Sequence, residues 1–481
     1  MLSKEKEVVK LYKTLPIKLT LLDEDKNYWE EQCKHSNSLF NCAIYLIKQH
    51  HYKILKEKDE FLTYWVNDEY RTGWKMKPVR GINYAYLCKE LKNNKHYKSL
   101  PSQVAQQTLK VVAGSITSYN ALVKAYFSGE VSSRPRLPGY KKSGGLLSVI
   151  FTNQQFKFQN GRVKLAVGKD AKESMICDTW LDVPEFVFSE QIQQIRIRPS
   201  RGEWWADFII DDNKTPVESN TNLNYNRALS IDHGVKFWLS AVTTSGKSFI
   251  VEVPQLKTAI WKYQLNVKQY KQGKSNFYWD EHLDKLTGKH NLKVRDAVNK
   301  TARFIINRCL KDGIGNLVIG WNVGNKQNIN LGIKNNYEVA SMPTARLIKR
   351  FQELCPEYGI KLFVTSEEYT SKASFVDNDD LPDYGAKPTE WKPSGKRIDR
   401  DVYRTKNGQN IHADINAAAN ILRKVADQLF SMPIRAKIAY EIIKNRALTD
   451  PKRYDVFKNL KKKYRNLASR NEFITRVATA A

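Results

Sequence analysis

Residues 227–252, RALSIDHGVKFWLSAVTTSGKSFIVE, decide the fold. Side chains alternate along a strand, so in the first run Leu229 and Ile231 point one way while Ser230 and Asp232 point the other. WLSAVTT and SFIVEV follow, parted by a Ser245–Gly246 turn signal, and the stretch reads as a three-strand meander. Its first strand closes on a carboxylate, Asp232, just before Gly234.

Downstream, apolar residues recur at helical spacing in basic segments from about Gln255 to Leu310. An apolar strand, NLVIGW (316–321), comes next, then a helix over Pro343–Leu354 and a second strand, KLFVTSEE (361–368). After a loop-rich stretch the pattern ends in a helix, HADINAAANILRKVADQLF (412–430). Three consecutive strands followed by alternating strand and helix is the element order of the RNase H fold.

Upstream, a polar linker (Asn213 to Asn226) sets this region apart. Before it lie short alternating runs, LLSVIFT, FKFQNGRVKLAV and QIRIRPSRGEWWADFIID, with Gly161 placed as a hairpin turn. These read as a small β-barrel. The opening Val8–Leu21 stretch alternates well enough to join it as a strand, with Pro16 marking an edge or bend. Between them, from about Lys26 to Phe127, apolar residues three and four apart describe a helical module, with Pro101–Ser102 as a helix start. A Gly/Pro/Arg-rich joint, SSRPRLPGYKKSGG (132–145), closes that module.

The 481 residues carry 79 Lys and Arg against 50 Asp and Glu, a formal net charge of +29. Interleaved with many Tyr and Trp, that excess is the counter-surface a long polyanion needs, and nucleic acid is the partner it favours over a membrane surface or mere solubility. No apolar run approaches the roughly 18 residues of a bilayer span, and the first residues lack an apolar signal core, so a cytoplasmic, nucleoid-associated protein is expected. The six cysteines, Cys33, Cys42, Cys88, Cys177, Cys309 and Cys355, show no C-x-x-C spacing and read as reduced, mostly buried, small apolar residues.

Two aspartates carry the chemistry. A two-metal nuclease gathers carboxylates from different elements at strand ends, because magnesium takes hard oxygen ligands in octahedral geometry. Asp232 ends a strand, and Asp414 begins the Ala-rich helix whose Ala417 and Ala418 share its face and allow a close approach to a sheet. Singly, each has a plainer reading as a turn residue or a helix N-cap. Their joint occurrence in this element order favours the site.

SIDHGVK (230–236) resembles the first RuvC motif of the TnpB (insertion-sequence OrfB) family, and HADINAAANIL its third. LPSQVAQQTLK, RPRLPGYKK and EEYTSKASF extend the resemblance, in order, over roughly residues 8 to 425. Miniature type V CRISPR effectors look alike at this level, and the sequence does not separate the two. The resemblance implies a multidomain α+β chain. A small β-barrel (wedge) would span 1–25 and 132–222, and a helical recognition module 26–131. An RNase H-like (RuvC) α/β nuclease domain would span 226–425 with an inserted segment at 371–409, followed by a basic C-terminal tail, 426–481. It further implies an RNA-guided DNA endonuclease whose guide RNA pairs with target double-stranded DNA beside a short flanking motif, with two Mg2+ ions, replaceable by Mn2+, at the cutting site.

The family usually carries a glutamate on the fourth strand, where this chain has Gly320. KLFVTSEE ends on the neighbouring strand in Glu367 and Glu368, and strands lie only about 4.8 Å apart, so a relocated acid can reach the site. A subset of the family resembles this chain in that relocation. Alternation lets one of the pair face the metals, and Glu367 is favoured. The metal set is then Asp232, Glu367 and Asp414. Many members also carry a four-cysteine zinc ribbon in the inserted segment, but around Ala373, Phe375 and Tyr403 there is no Cys, so no structural zinc is expected. Nucleic-acid contacts are expected at Gln103 and Gln106, at Arg134, Arg136 and Lys141 of the joint, and at Lys396, Arg397 and Arg404 of the insertion. Surface glutamines and a solvated basic loop are the plain alternatives. The rival functions are a nuclease-dead RNA-guided repressor and a guide-free nuclease of the same fold.

Overall fold

The computed structural model describes residues 12–57, 61–66, 69–74, 76–168, 179–185, 187, 191–211, 220–322, 341–383 and 385–458. Cys177 and the end of the basic tail lie outside them. Two compact units part between residues 214 and 215.

The first unit runs β1 (Tyr12–Leu19), α1 (Asp23–Glu57), β2 (Phe61–Val66), β3 (Glu69–Trp74), α2 (Tyr84–Leu91) and the one-turn α3 (Lys95–Lys98). It continues with α4 (Ser102–Phe127), β4 (Val149–Thr152), β5 (Phe156–Gln159), β6 (Arg162–Leu165), β7 (Trp180–Asp182), β8 (Ile192–Ser200) and β9 (Glu203–Asp211). Trp29, Cys33, Phe40, Ile44 and Ile47 of α1 and Val104, Leu109, Val112, Ile116 and Val123 of α4 are buried, each set lying on one apolar face of its helix. The β2–β3 hairpin interrupts the stretch that periodicity reads as wholly helical: FLTYWV and EYRTGW pair from Phe61↔Trp74 to Val66↔Glu69. Their aromatic and β-branched residues favour a strand locally.

The strands expected in one small barrel fall into two sheets, four-stranded β1-β9-β8-β4 and three-stranded β5-β6-β7. Among the described residues β1 is an edge strand pairing with β9 alone, which suits Pro16 and its missing donor. Between β5 and β6, Asn160 and Gly161 take φ of 49° and 75°, the two left-handed residues of a tight hairpin turn.

In the second unit β10 (Asn224–His233), β11 (Leu239–Thr243) and β12 (Ser248–Glu252) form the meander. They are followed by α5 (Pro254–Tyr270), α6 (Glu281–Lys311), β13 (Ile314–Gly320), α7 (Thr344–Tyr358) and β14 (Lys361–Thr365). The short strands β15 (Lys396–Arg397), β16 (Val402–Arg404) and β17 (Asn410–His412) precede α8 (Ala413–Leu429), α9 (Met432–Lys444) and β18 (Lys452–Asp455). One six-stranded sheet orders them β14-β13-β10-β11-β12-β18. The meander pairs antiparallel, while β13 runs parallel to β10 and β14 parallel to β13.

Strand alternation splits the core in two. Leu229, Ile231, Leu317 and Ile319 pack with Leu256 and Ile260 of α5, Ile305 of α6 and Phe351 of α7. Ala228, Val242, Ile250 and Val318 pack with Ala418, Ile421 and Leu422 of α8 and Ile438 and Ile442 of α9. Asp232 shares the parity of Ala228, so it emerges on the α8 face.

One expectation needs correction. The basic tail from 426 is not separate from the sheet, because β18 pairs parallel with β12 from Phe249↔Lys452 to Glu252↔Asp455. Tyr454 meets Phe249 and Phe304 at ring distances of 5.9 and 5.3 Å, and the strand covers a β12 edge that would otherwise expose unpaired backbone groups. Cys33, Cys309 and Cys355 are buried, and burial pushes the thiols of Cys33 and Cys355 up to about 12. No helix among the described residues is long and apolar enough to cross a membrane.

Candidate active site

Asp232 stands one residue from the end of β10, opposite Ser240 of β11. Beside it β13 ends at Gly320, which pairs with Thr365 of β14. Beyond that pair the two chains remain tied. Trp321 N donates to Thr365 O at 2.8 Å, and Glu367 N donates to Asn322 Oδ1 at 3.0 Å. A Cβ built on Gly320 would lie 2.6 Å from Ile421 Cδ1 and 3.2 Å from Glu367 Cβ. The volume of a side chain at position 320 is thus taken by Ile421 and by Glu367, which stands two residues past the end of β14.

The third acid comes from α8. Ser230 Oγ donates to the carbonyl of Ala418 at 2.8 Å, a strand side chain reaching a helix backbone, which is possible because Ala417, Ala418 and Ala419 add so little bulk. Two buried asparagines one turn apart then tie the helix to the loop after β14. Asn416 Nδ2 donates to Ala373 O at 2.8 Å and its Oδ1 accepts from Phe375 N at 2.9 Å; Asn420 Nδ2 donates to Thr370 O and Ala373 O. Thr370 Oγ1 in turn donates to Glu367 O at 2.8 Å, and Tyr369 takes a left-handed φ of 60° to make the turn. Asp414 lies in the first turn of α8, inside the helix and not at its cap.

Asp232, Glu367 and Asp414 line one cavity of about 430 Å³, with His233, Lys236, Asn322, Arg397 and Arg400. Burial holds the Asp232 carboxyl well above the usual range, the charges of Asp414 and Glu367 raise it further, and Arg397 opposes them. Arg397 donates to Asp414 Oδ1 at 2.8 Å, Lys236 pairs with Asp401, and His233 Nε2 lies 3.5 Å from Glu367 Oε2. Burial lowers the His412 imidazole, against the opposing charges of Asp414 and Asp401. Glu368 turns away to Lys424, 3.7 Å distant, whose ammonium also donates to Ser366 Oγ at 3.0 Å.

Three carboxylates crowded on one polar cavity are the donor chemistry that a hard divalent cation takes. Among the described residues no group of three or more His, Cys, Asp or Glu side chains is drawn together closely enough to hold a metal ion. In this structure Arg397 supplies the counter-charge on Asp414.

The other predicted contact residues are scattered. Gln103 spends its amide inside the first unit, donating to Gln154 Oε1 at 2.7 Å and accepting from Thr152, and Gln106 bonds the Tyr97 hydroxyl. Arg134, Arg136 and Lys141 are exposed, with Lys141 N tied to Asn41 Oδ1 at 2.8 Å. Lys396 and Arg404 are exposed on the small β15–β16–β17 sheet, where Arg404 reaches Asn410. Arg397, expected to guide DNA, faces the acids. The insertion is stapled by the buried Tyr403, whose hydroxyl donates to Lys372 O at 2.9 Å, and by Asp379, which accepts from Ser374 N and Ser394 N.

Sequence reasoning missed Asn416 and Asn420. Their signal was two polar residues four apart inside an otherwise apolar helix face, where burial demands hydrogen-bond partners. Asn322 and His233 carried no comparable signal, whereas Arg400, read from the sequence with its basic neighbours as a DNA guide, does line the cavity.

No family model matches the chain, and no curated protein matches it. A solved structure described as a Cas12f1–sgRNA–target DNA complex is similar over 84% of this chain and 83% of its own, at 14% identity and a TM-score of 0.50. A CRISPR-Cas12f ternary complex matches over 84% and 82% at 14% identity with a TM-score of 0.29. CasPhi-2 (Cas12j) bound to crRNA and phosphorothioate-DNA matches over 90% and 94% at 10% identity, TM-score 0.36. Of these the first alone carries the comparison, and at that identity it is a likeness of fold.

Proposed function

We propose that the chain is an RNA-guided DNA endonuclease of the TnpB and miniature type V kind, and that its second unit is an RNase H-like (RuvC) nuclease domain. The observation that carries the reading is the convergence of Asp232, Glu367 and Asp414 on one cavity, with Glu367 brought in beside Gly320. The fold likeness to a protein solved with guide RNA and target DNA agrees with it, as does the +29 charge. The first unit would then hold guide RNA and target duplex through backbone and A-form shape, while base pairing reads sequence.

Asp232, Glu367 and Asp414 would hold Mg2+, or Mn2+ in its place. When bound, two such ions supply an activated water for in-line attack on phosphorus and stabilise the leaving oxygen. The chain's own groups do the rest. Arg397 and Arg400 offer positive charge to a phosphate entering the cavity, and the Asn416–Asn420 clamp fixes the loop that presents Glu367. The protein would act in the cytoplasm, at the nucleoid.

One observation favours a second reading, a nuclease-dead RNA-guided DNA-binding repressor: Arg397 pairs with Asp414 and the acids are not gathered as a ligand set. Cleavage separates the two. Purified protein is expected to carry an RNA of discrete length that high salt strips away, because many phosphate contacts release counterions on binding. With that RNA and a matching target, Mg2+ should support cutting and Ca2+ only binding. Asp232→Ala and Asp414→Ala should each abolish cutting while guide and target binding stay close to wild type. Wild-type cutting by either variant would misplace the site, guided binding without cutting at any Mg2+ or Mn2+ concentration would establish the repressor, and absence of RNA would end the guided reading.

A further inference from the structure

Between α5 and α6 the chain turns through KQGKSNFYWD (271–280), and this turn holds three rings in solvent: Phe277 is 95% exposed, Trp279 45% and Tyr278 36%. Exposed rings cost hydration and would collapse onto the helices unless held apart. Here they are held. Asp280 caps α6 by accepting from Leu283 N at 2.9 Å, and it also accepts from the hydroxyls of Tyr270 at 2.6 Å and Tyr278 at 2.8 Å. Trp279 Nε1 donates to Asp284 at 3.0 Å, and Tyr270 stacks on His282 with ring centres 4.3 Å apart.

Cations alternate with these rings. Lys274 Nζ lies 3.6 Å from the Tyr270 ring centre and 4.4 Å from that of Tyr278; Lys271 Nζ lies 5.4 Å from the Trp279 ring and donates to Asn276 O at 3.0 Å. Asp280 and Asp284 are thus occupied in fixing rings and backbone, Glu281 pairs with Lys285, and Phe277 is the most exposed of the three rings, on the same turn as the two ammonium groups.

We propose that this tip is a stacking site for an unpaired nucleobase, with Phe277 as the platform and Lys271 and Lys274 facing the phosphates on either side of that base. Every base offers a π-face, so stacking with flanking cations binds single strands without reading their sequence. Charge selects a polyanion over an apolar protein face, since residues 257–300 hold ten Lys or Arg against four Asp or Glu, and the nucleic-acid reading of the chain makes that polyanion a nucleic acid. The site rests on the reading of the chain as a nucleic-acid enzyme and adds a contact outside the carboxylate cavity.

The test uses the full chain, stripped of bound RNA by high salt, with two fluorescein-labelled probes: an oligothymidylate and an abasic oligomer of the same length. Wild type should bind the base-bearing probe more tightly than the abasic one. Phe277→Ala should lose about five- to a hundredfold affinity for oligothymidylate, the range for one stacked base, and leave abasic binding unchanged. Phe277→Trp should keep the affinity, and the thermal midpoint should not move in either variant because the ring is exposed. Equal affinity of Phe277→Ala and wild type for oligothymidylate overturns the proposal, as does an equal loss on both probes. A change in oligomeric state by light scattering, without base dependence, overturns it in favour of a protein partner. Base-dependent binding lost in Phe277→Ala stands even if the protein never cuts, and guided cutting with unchanged Phe277→Ala binding removes this site alone.

Discussion

Asp232 and Asp280 belong to the same unit and meet opposite surroundings. Asp232 is half-buried beside two other acids, and desolvation and their charges push it well up while Arg397 opposes them. Asp280 accepts from Tyr270, Tyr278 and the Leu283 amide, and those bonds hold it down at about 2. An aspartate whose acceptor sites are filled is doing structural work, and its charge is already spent on local bonds. One crowded by like charge stores an unfavourable interaction that an incoming cation would relieve, which is the usual mark of a functional site.

The largest expected effect tests whether crowding at Asp232 is functional. Glu367→Gln removes one of the crowding charges and keeps the shape, so it should lower cleavage by orders of magnitude and raise the Mg2+ requirement. Glu368→Gln should do much less, since Glu368 faces Lys424 and not the cavity. Cleavage rates over a Mg2+ titration measure both. Equal, harmless effects in an active enzyme would mean that the third acid is elsewhere and that the contrast with Asp280 is only one of burial.

A medium effect concerns how the crowding is built. Gly320→Ala places a methyl 2.6 Å from Ile421 Cδ1 and 3.2 Å from Glu367 Cβ, in a packed interior. Overpacking of this kind costs about 1–3 kcal/mol, so the urea midpoint should fall, and cleavage should fall with it as Glu367 is displaced. Lost stability with full cleavage would show that the room beside Gly320 serves packing and not the placement of Glu367.

Much of this site was legible because its residues obey strong local rules. The alternation at Leu229–Asp232 put Asp232 on the α8 face, and the small residues Ala417 and Ala418 announced a helix seated close to a strand. The absence of an acid at Gly320 was legible too, and so was the pair that could replace it. What stayed hidden depends on partners distant in sequence. Nothing local says that Arg397 meets Asp414 across 17 residues, that Gln103 spends its amide on Gln154, or that Lys452–Asp455 returns to pair with β12. The hairpin at 61–74 was missed because short apolar runs do not distinguish strand from helix. The 271–280 tip was passed over for a related reason, since exposed and buried aromatics look alike in a sequence.

The smallest expected effect compares the two aspartates directly through the pH dependence of stability, measured by urea unfolding in EDTA. For Asp232 the folded pKa lies above the unfolded one, so between them the native state keeps a proton that the unfolded chain has released. Stability contributed by that group therefore falls as pH rises from about 4 through the folded pKa. Asp232→Asn removes this slope, and its advantage over wild type should grow with pH and then level off. Asp280 has the opposite sign: its contribution is present above about 4 and is lost as pH falls toward about 2. Asp280→Asn should accordingly fall short of wild type at neutral pH by a small margin that closes on acidification. Adding Mg2+ should shrink the Asp232→Asn advantage, because an ion that binds only the native state stabilises wild type selectively, and should leave the Asp280→Asn difference unchanged. If Asp232→Asn shows no gain as pH rises, Asp232 is not the strained acid, and the two aspartates differ in position alone.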